Sequence, residues 1–171
     1  MTGGLVQQID LLARKLFPFA LSTLLIVAGV VPLPIPGYAQ VVPAFGIMAV
    51  YYWAIHRPDL LPAIAVFALG LLDDVLTGAP IGVNALVFLL VYGVMRNQRR
   101  PFLGKPFPVM WFGFFIVAPA AALVHWLLVS ALFGRLVSAR MAIVELLLTV
   151  ALYPWLTWIF ATGQRAFLRA R

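Results

Sequence analysis

The sequence predicts an all-α integral membrane protein, a bundle of about six transmembrane helices with both termini in the cytoplasm. The first observation is composition, because 64% of the 171 residues are hydrophobic and only 10% are charged. A soluble domain typically has about 25% charged residues, so this chain has too few charges to cover a surface that faces water. The length suits one compact bundle, and we expect residues 1–171 to form a single transmembrane domain.

The distribution of basic residues is the second observation, and it predicts the topology. Six spans with cytoplasmic termini place ten of the twelve Lys and Arg residues inside and leave only Arg135 and Arg140 outside. Cytoplasmic loops carry the excess of Lys and Arg in membrane proteins, and an odd number of spans would destroy this asymmetry. Topology and contact with anionic lipids therefore explain the net charge of +7 without a nucleic acid partner.

The N-terminal region predicts two elements. Residues 1–16 have apolar side chains at helical spacing and predict an amphipathic helix that lies at the membrane interface. Residues 17–31 predict the first span, and the three prolines in residues 32–37 end it because they preclude a helix. With Arg14 and Lys15 before it, this region also resembles a signal peptide, but the apolar content downstream favours an uncleaved span.

The other five spans are apolar runs separated by charged or proline-containing segments. They are predicted at about residues 41–55, 60–76, 81–95, 107–133 and 141–162. The third and fourth spans are short, because a helix needs about 20 residues to cross the hydrocarbon core. The fifth is long and contains Pro119.

Two adjacent aspartates, Asp73 and Asp74, are the third observation, since they lie in an apolar segment. An ionised aspartate at mid-bilayer costs about 2.5–3.5 kcal/mol on insertion scales, so another group must compensate for the charge. The nearest candidate is the start of the fourth span, where the first N–H groups are unpaired and the helix dipole is positive. We predict that Asp74 binds these N–H groups and locks a tight helical hairpin, while Asp73 reaches interfacial water.

The residues of the turn fit such a hairpin. Gly78 and Gly82 allow backbone angles that are closed to other residues, and Pro80 suits the first turn of a helix. Asn84, one turn into the fourth span, is a candidate for an additional side-chain hydrogen bond. Two alternatives remain open for the aspartates: a buried carboxylate that binds a cation or passes a proton, or a contact with the helix of a partner.

Two further titratable residues lie within predicted spans. His125 is expected to form a hydrogen bond within the bundle rather than to relay protons. Glu145 is expected to pair with Arg140 at the outer interface, where both side chains can reach the headgroups. An inward Glu145 that forms an acidic cavity with the aspartates is the less favoured arrangement.

A basic cluster follows the fourth span and consists of Arg96, Arg99, Arg100 and Lys105. Topology and attraction to anionic lipids explain it, and docking of a cytoplasmic filament or another anionic surface is the alternative. The chain has no cysteine, no glycine-rich phosphate loop, no histidine cluster with metal-ligand spacing and no nucleophilic triad. The sequence therefore predicts neither an enzyme nor a cofactor or metal site.

Residues 70–86, GLLDDVLTGAPIGVNAL, resemble the bacterial rod shape-determining protein family MreD. That family has a Gly-x-x-x-Asp step, a short glycine-containing turn, and a glycine with a small or polar residue at the start of the next helix. The matching positions here are Gly70, Asp74, Gly78, Pro80, Gly82 and Asn84. The additional Asp73 departs from the family pattern.

The resemblance implies a non-enzymatic subunit of the peptidoglycan elongation machinery in the bacterial inner membrane. Its implied partners are MreC, the filament protein MreB, the glycosyltransferase RodA and a class B penicillin-binding protein. The small residues Gly113, Ala118, Ala120, Ala121 and Ala122 offer a face on which a partner helix can pack closely. The family is also thought similar in fold to the substrate-binding subunits of energy-coupling-factor vitamin transporters. That similarity supplies a second hypothesis, a small-molecule-binding subunit of a transporter.

Overall fold

The computed structural model describes residues 3–30 and 42–168, with side chains for residues 16–30, 42–163 and 165. The described chain forms six α-helices: α1 (Gly3–Gly29), α2 (Phe45–His56), α3 (Ala63–Thr77), α4 (Val83–Asn97), α5 (Phe107–Phe133) and α6 (Ala139–Leu168). A short 3₁₀ helix, Arg100–Phe102, lies between α4 and α5. The prediction of an all-helical fold is confirmed.

The N-terminal region forms one continuous helix, and the division into an interfacial helix and a first span stays a prediction. α1 runs without interruption through Pro18. A proline inside a helix removes one backbone hydrogen bond, but membrane helices tolerate the loss where side chains bind the local backbone. The Ser22 hydroxyl donates to the Pro18 carbonyl oxygen at 2.7 Å, a bond that is separate from the one lost at the proline nitrogen. The proline-rich segment 32–37 and the alternative of a signal peptide lie outside the described residues.

Among the residues with described side chains, two helices are long and apolar enough to cross a membrane. They are α5, whose bounds match the predicted residues 107–133, and the part of α6 from Ala139 to Gly163. At a rise of about 1.5 Å per residue, the 12 residues of α2 span about 18 Å and the 15 residues of α3 and of α4 span about 23 Å. Because a hydrocarbon core is about 30 Å thick, these three helices are short for a span.

Helix α2 lies at the centre of the bundle. Ten of its 12 residues are buried, and it contacts α1, α3, α4 and α6. Its sequence is apolar on every face, which is typical of a helix that has no exposed side. Tyr51, Tyr52 and Trp53 are buried by these contacts, so they pack the interior rather than form an interfacial belt.

An aromatic cluster joins α2 to the two long helices. The rings of Phe114 and Tyr153 are stacked with centroids 4.2 Å apart, and Tyr51 meets them edge-on at 5.2 and 5.7 Å. Such pairs contribute about 0.5–1.5 kcal/mol each beyond the area they bury. The Tyr51 hydroxyl also donates to the carbonyl oxygen of Met110 at 3.0 Å. The cluster therefore holds α2, α5 and α6 together through both packing and a hydrogen bond.

The small residues of α5 pack largely within the chain itself. A Cβ atom on Gly113 would lie 2.5 Å from the Tyr51 hydroxyl oxygen, and Ala118 and Ala121 are buried. Ala120 is exposed. Gly113, Ala118 and Ala121 therefore pack inside the bundle, whereas Ala120 is exposed and Ala122 is partly buried, so the five small residues do not form one exposed face for a partner helix.

Helix α6 contains Pro154, and a side chain of α5 compensates for it. Proline has no N–H group, so the carbonyl of Val150, four residues earlier, loses its donor within the helix. The indole Nε1 of Trp111 donates to that carbonyl oxygen at 3.2 Å. A neighbouring helix thus satisfies a backbone group that lipid cannot satisfy.

Helices α2, α4 and α6 end at the same side of the molecule. The hydroxyl of Tyr92, in the last two turns of α4, donates to the carbonyl oxygen of Pro58 just after α2, at 3.2 Å. Near the end of α6, the charge of Arg165 acts on Tyr52 in the last turns of α2. We call this side the basic end and the opposite side, with the α3–α4 turn, the hairpin end.

Candidate functional site: a carboxylate-capped helical hairpin

The turn between α3 and α4 depends on two glycines with positive φ. Gly78 ends α3 at φ +68°, and Gly82 precedes α4 at φ +100°. Both conformations favour glycine, because a Cβ atom would strain the backbone there. At the end of α3 the carbonyl oxygen of Asp74 accepts N–H hydrogen bonds from Gly78 and, at 3.0 Å, from Ala79. The predicted use of both glycines in the turn is confirmed.

The side chain of Asp74 caps the beginning of α4. Its Oδ2 accepts the N–H of Gly82 at 2.7 Å, and its Oδ1 accepts the N–H of Asn84 at 2.8 Å. These are the lengths of charge-assisted hydrogen bonds, and the carboxylate is fully buried. Because Gly82 occupies the N-cap position and has no side chain, Asp74 supplies from α3 the oxygen atoms that a capping Ser or Asp would supply locally. The predicted contact between Asp74 and the start of α4 is confirmed.

Two details of the predicted hairpin are wrong. Pro80 does not lie in the first turn of α4: it precedes the helix, and its carbonyl oxygen accepts the N–H of Val83 at 3.2 Å. The bond from Asn84 to Asp74 comes from its backbone N–H and not from its side chain. The helix begins at Val83, directly after the left-handed Gly82, which is three residues later than a proline at its first position would predict.

Gly70 allows α3 and α4 to pack closely below the turn. A Cβ atom at this position would collide with the Cα atom of Ala85 and would lie 2.7 Å from the Ala85 nitrogen. Both contacts are with backbone atoms, which cannot move aside independently of the helix. The first glycine of the motif therefore sets the distance between the two helices that Asp74 joins.

Other titratable groups lie near the hairpin. Asp73 is half-buried and within electrostatic range of both Asp74 and Glu145, and His125 is within range of Asp74. The charge that acts on Glu145 is that of Asp73 and not that of Arg140. The expected pair with Arg140 is wrong: Arg140 is exposed, whereas Glu145 is half-buried and within electrostatic range of Asp73. Among the residues with described side chains, no group of three acidic or histidine residues can hold a metal ion.

The basic cluster lies at the other end of α4. Arg96, Arg100 and Lys105 are exposed, and Arg99 is partly exposed. The guanidinium carbon of Arg96 lies 6.0 Å from the ring centroid of Tyr92, at the limit of a cation–π contact. The hairpin and the basic cluster are therefore separated by the 15 residues of α4, about 23 Å at 1.5 Å per residue.

Sequence reasoning missed Thr149, which plays a part similar to that of Asp74. The hydroxyl of Thr149 accepts the N–H of Ala44, at the start of α2, at 2.9 Å. The same hydroxyl donates to the Glu145 carbonyl oxygen at 2.7 Å, and Thr149 is buried. The available signal was a threonine within the apolar sequence of α6, which also contains Thr157 and Thr162. The sequence does not reveal its partner, because 105 residues separate it from Ala44.

The six helices, two of them able to cross a membrane, and the buried carboxylate at the hairpin define a helical membrane protein. The family model for the rod shape-determining protein MreD matches residues 11–162. The chain therefore belongs to the MreD family of membrane proteins, and this membership gives it a role in determining rod shape. No curated protein and no solved structure was found to match the chain.

Proposed function

We propose that this chain is a non-enzymatic, multi-pass scaffold subunit of the cell-elongation complex in the bacterial inner membrane. All six helices span the bilayer, and both termini are cytoplasmic. The subunit holds MreC, the filament protein MreB, RodA and a class B penicillin-binding protein in one assembly and so links the cytoplasmic filament to peptidoglycan synthesis. The family match over residues 11–162 is the observation that carries this proposal.

The hydrogen bonds that Asp74 accepts support the function of a scaffold. Both of its carboxylate oxygens accept backbone N–H groups, so the acid of the family motif is engaged in holding two helices together. A carboxylate that passes protons or binds a substrate needs a free oxygen atom or an exchangeable partner. The hairpin then serves as a rigid element of the scaffold, and the exposed apolar side chains of α5 and α6 face lipid or partner helices.

In-cell photo-crosslinking along every helix tests this proposal. A crosslinking residue at exposed positions such as Phe112, Trp155 and Ile64 is expected to capture wall-synthesis proteins from some faces of the bundle. The same residue at buried Val50 or Val66 is the control and is expected to capture none. A scan in which no exposed position yields MreC or a peptidoglycan synthase contradicts the proposed scaffold.

A second candidate, a small-molecule-binding subunit of a transporter, draws on the titratable groups near the hairpin. Asp73, His125 and Glu145 come from three helices and lie within electrostatic range of one another or of Asp74. Converging polar groups of this kind are what a ligand site within the bilayer requires. A surface hollow of about 300 Å³ is lined by Pro154, Trp155 and Trp158, none of which belongs to this group. A stoichiometric ligand in the protein purified from cells would favour this candidate over the scaffold.

A further inference from the structure

The basic end concentrates positive charge from three separate segments of the chain. The loop after α2 provides Arg57, the end of α4 and its loop provide four basic side chains, and α6 provides Arg165. Among the side chains described there, Asp59 is the single carboxylate, so six positive charges and one negative charge leave a net +5. The described residues do not supply enough negative charge to balance this positive surface. The surface therefore suits an anionic partner.

Contacts around Tyr92 show that the fold brings these charges together. Its hydroxyl donates to the Pro58 carbonyl oxygen, and its ring lies under the guanidinium of Arg96. The charges of Asp59 and Arg99 also act on this side chain. The arginines at the end of α4 are therefore placed beside the loop after α2 by a hydrogen bond and an aromatic contact.

An exposed apolar strip on α4 continues from these charges toward the hairpin end. Leu90 and Val94 are 48% and 53% exposed, and Gly93 lies between them on the same side of the helix. A Cβ atom on Gly93 would meet no atom within 4 Å, so the glycine leaves a shallow dent in the surface. Because Arg96 lies one turn further along, a charged surface and an apolar dent adjoin one another.

We propose that the basic end binds an anionic phospholipid, with the phosphate group against Arg96 and Arg99 and an acyl chain in the dent at Gly93. An acidic protein surface in the cytoplasm would match the charges, but it would not reach a dent that lies within the bilayer. Basic residues near a bilayer attract anionic headgroups, and the fold here adds an apolar contact beside them. The inference rests on the proposed placement of α4 across the membrane.

Native mass spectrometry of the whole protein tests this site. The protein is released from nanodiscs that contain equal amounts of phosphatidylglycerol and phosphatidylcholine, and the retained lipids are counted. We expect the wild type to retain phosphatidylglycerol preferentially. Each basic residue near an anionic surface contributes about fivefold in affinity, so Arg96→Gln combined with Arg99→Gln is expected to reduce the preference about 25-fold.

Two further variants make the result specific. Arg135→Gln combined with Arg140→Gln removes the same charge from exposed positions near the hairpin end and is expected to keep the preference. Gly93→Leu fills the dent, leaves all charges in place and is expected to weaken retention severalfold. An unchanged preference in the Arg96/Arg99 variant, an equal loss in the Arg135/Arg140 control, or full retention in Gly93→Leu would each overturn the inference.

If the true partner is an acidic protein, the Arg96/Arg99 variant will retain lipid as the wild type does but will lose binding to that protein. That result would also overturn the inference. The measured quantity is the lipid that remains bound to the purified protein. Failure of this test therefore leaves the scaffold proposal standing, because crosslinking in cells tests that proposal separately.

Discussion

Replacing Asp74 by alanine removes both hydrogen bonds that join the end of α3 to the start of α4. Hydrogen bonds to a charged group contribute about 1.5–3 kcal/mol each, so the two bonds at 2.7 and 2.8 Å predict a loss of about 3–6 kcal/mol in the free energy of unfolding. The change also leaves the N–H groups of Gly82 and Asn84 without their acceptor. Asp74→Asn keeps one acceptor oxygen and is expected to lose about half as much.

The neighbouring residue provides a matched control. Asp73 has the same side chain one position earlier, and its charge is opposed by those of Asp74 and Glu145. Asp73→Asn removes this repulsion, so we expect stability to be unchanged or slightly higher. The two variants thus separate the loss of the cap from the loss of a negative charge in this region.

Two measurements follow the effect. Unfolding of the purified protein by a denaturing detergent gives the change in free energy, and hydrogen–deuterium exchange gives the protection of the Gly82 and Asn84 amides. Exchange of these two amides should accelerate in Asp74→Asn and not in Asp73→Asn. The reasoning is refuted if Asp74→Ala unfolds within about 1 kcal/mol of the wild type, or if Asp73→Asn is equally destabilising.

Two other substitutions test the packing around the hairpin and the proline of α6. Gly70→Ala forces a methyl group against the backbone of Ala85, and we expect a loss of about 1–3 kcal/mol in unfolding free energy, whereas Gly93→Ala, in open space, should cost nothing. Equal stability of the two variants would contradict the close approach of α3 and α4. Trp111→Phe leaves the Val150 carbonyl without its donor and should cost about 0.5–1.5 kcal/mol by detergent unfolding, more than Trp→Phe at other exposed tryptophans. An unchanged unfolding curve would mean that another group satisfies this carbonyl.

The elements that could be predicted from the sequence are those whose signals are local. The apolar run that forms α5 begins and ends at residues 107 and 133 in both the prediction and the structure. The bond from Asp74 to α4 was also predictable, because a turn of five residues leaves few other N–H groups within reach. In both cases the residues that determine the structure lie within one continuous segment of the sequence.

Contacts between distant segments could not be predicted. The central position of α2 depends on how the other helices surround it, and its apolar sequence alone is equally typical of a helix in lipid. The donor to Val150 is Trp111, 39 residues away, and no spacing rule connects them. Glu145 was expected to reach Arg140 because the two are near in sequence, but Arg140 is exposed and Glu145 is half-buried within electrostatic range of Asp73.

The shared cap also bears on how the chain enters the bilayer during synthesis. Alone, α3 would carry an uncompensated carboxylate into lipid, and α4 would begin with bare amides. The carboxylate of α3 and the amides of α4 satisfy each other by hydrogen bonding. The two helices are therefore expected to leave the translocon as one unit once residue 84 has emerged. A ribosome-stalled chain that ends within the turn should therefore retain α3 beside the translocon, and one extended through α4 should release both helices together.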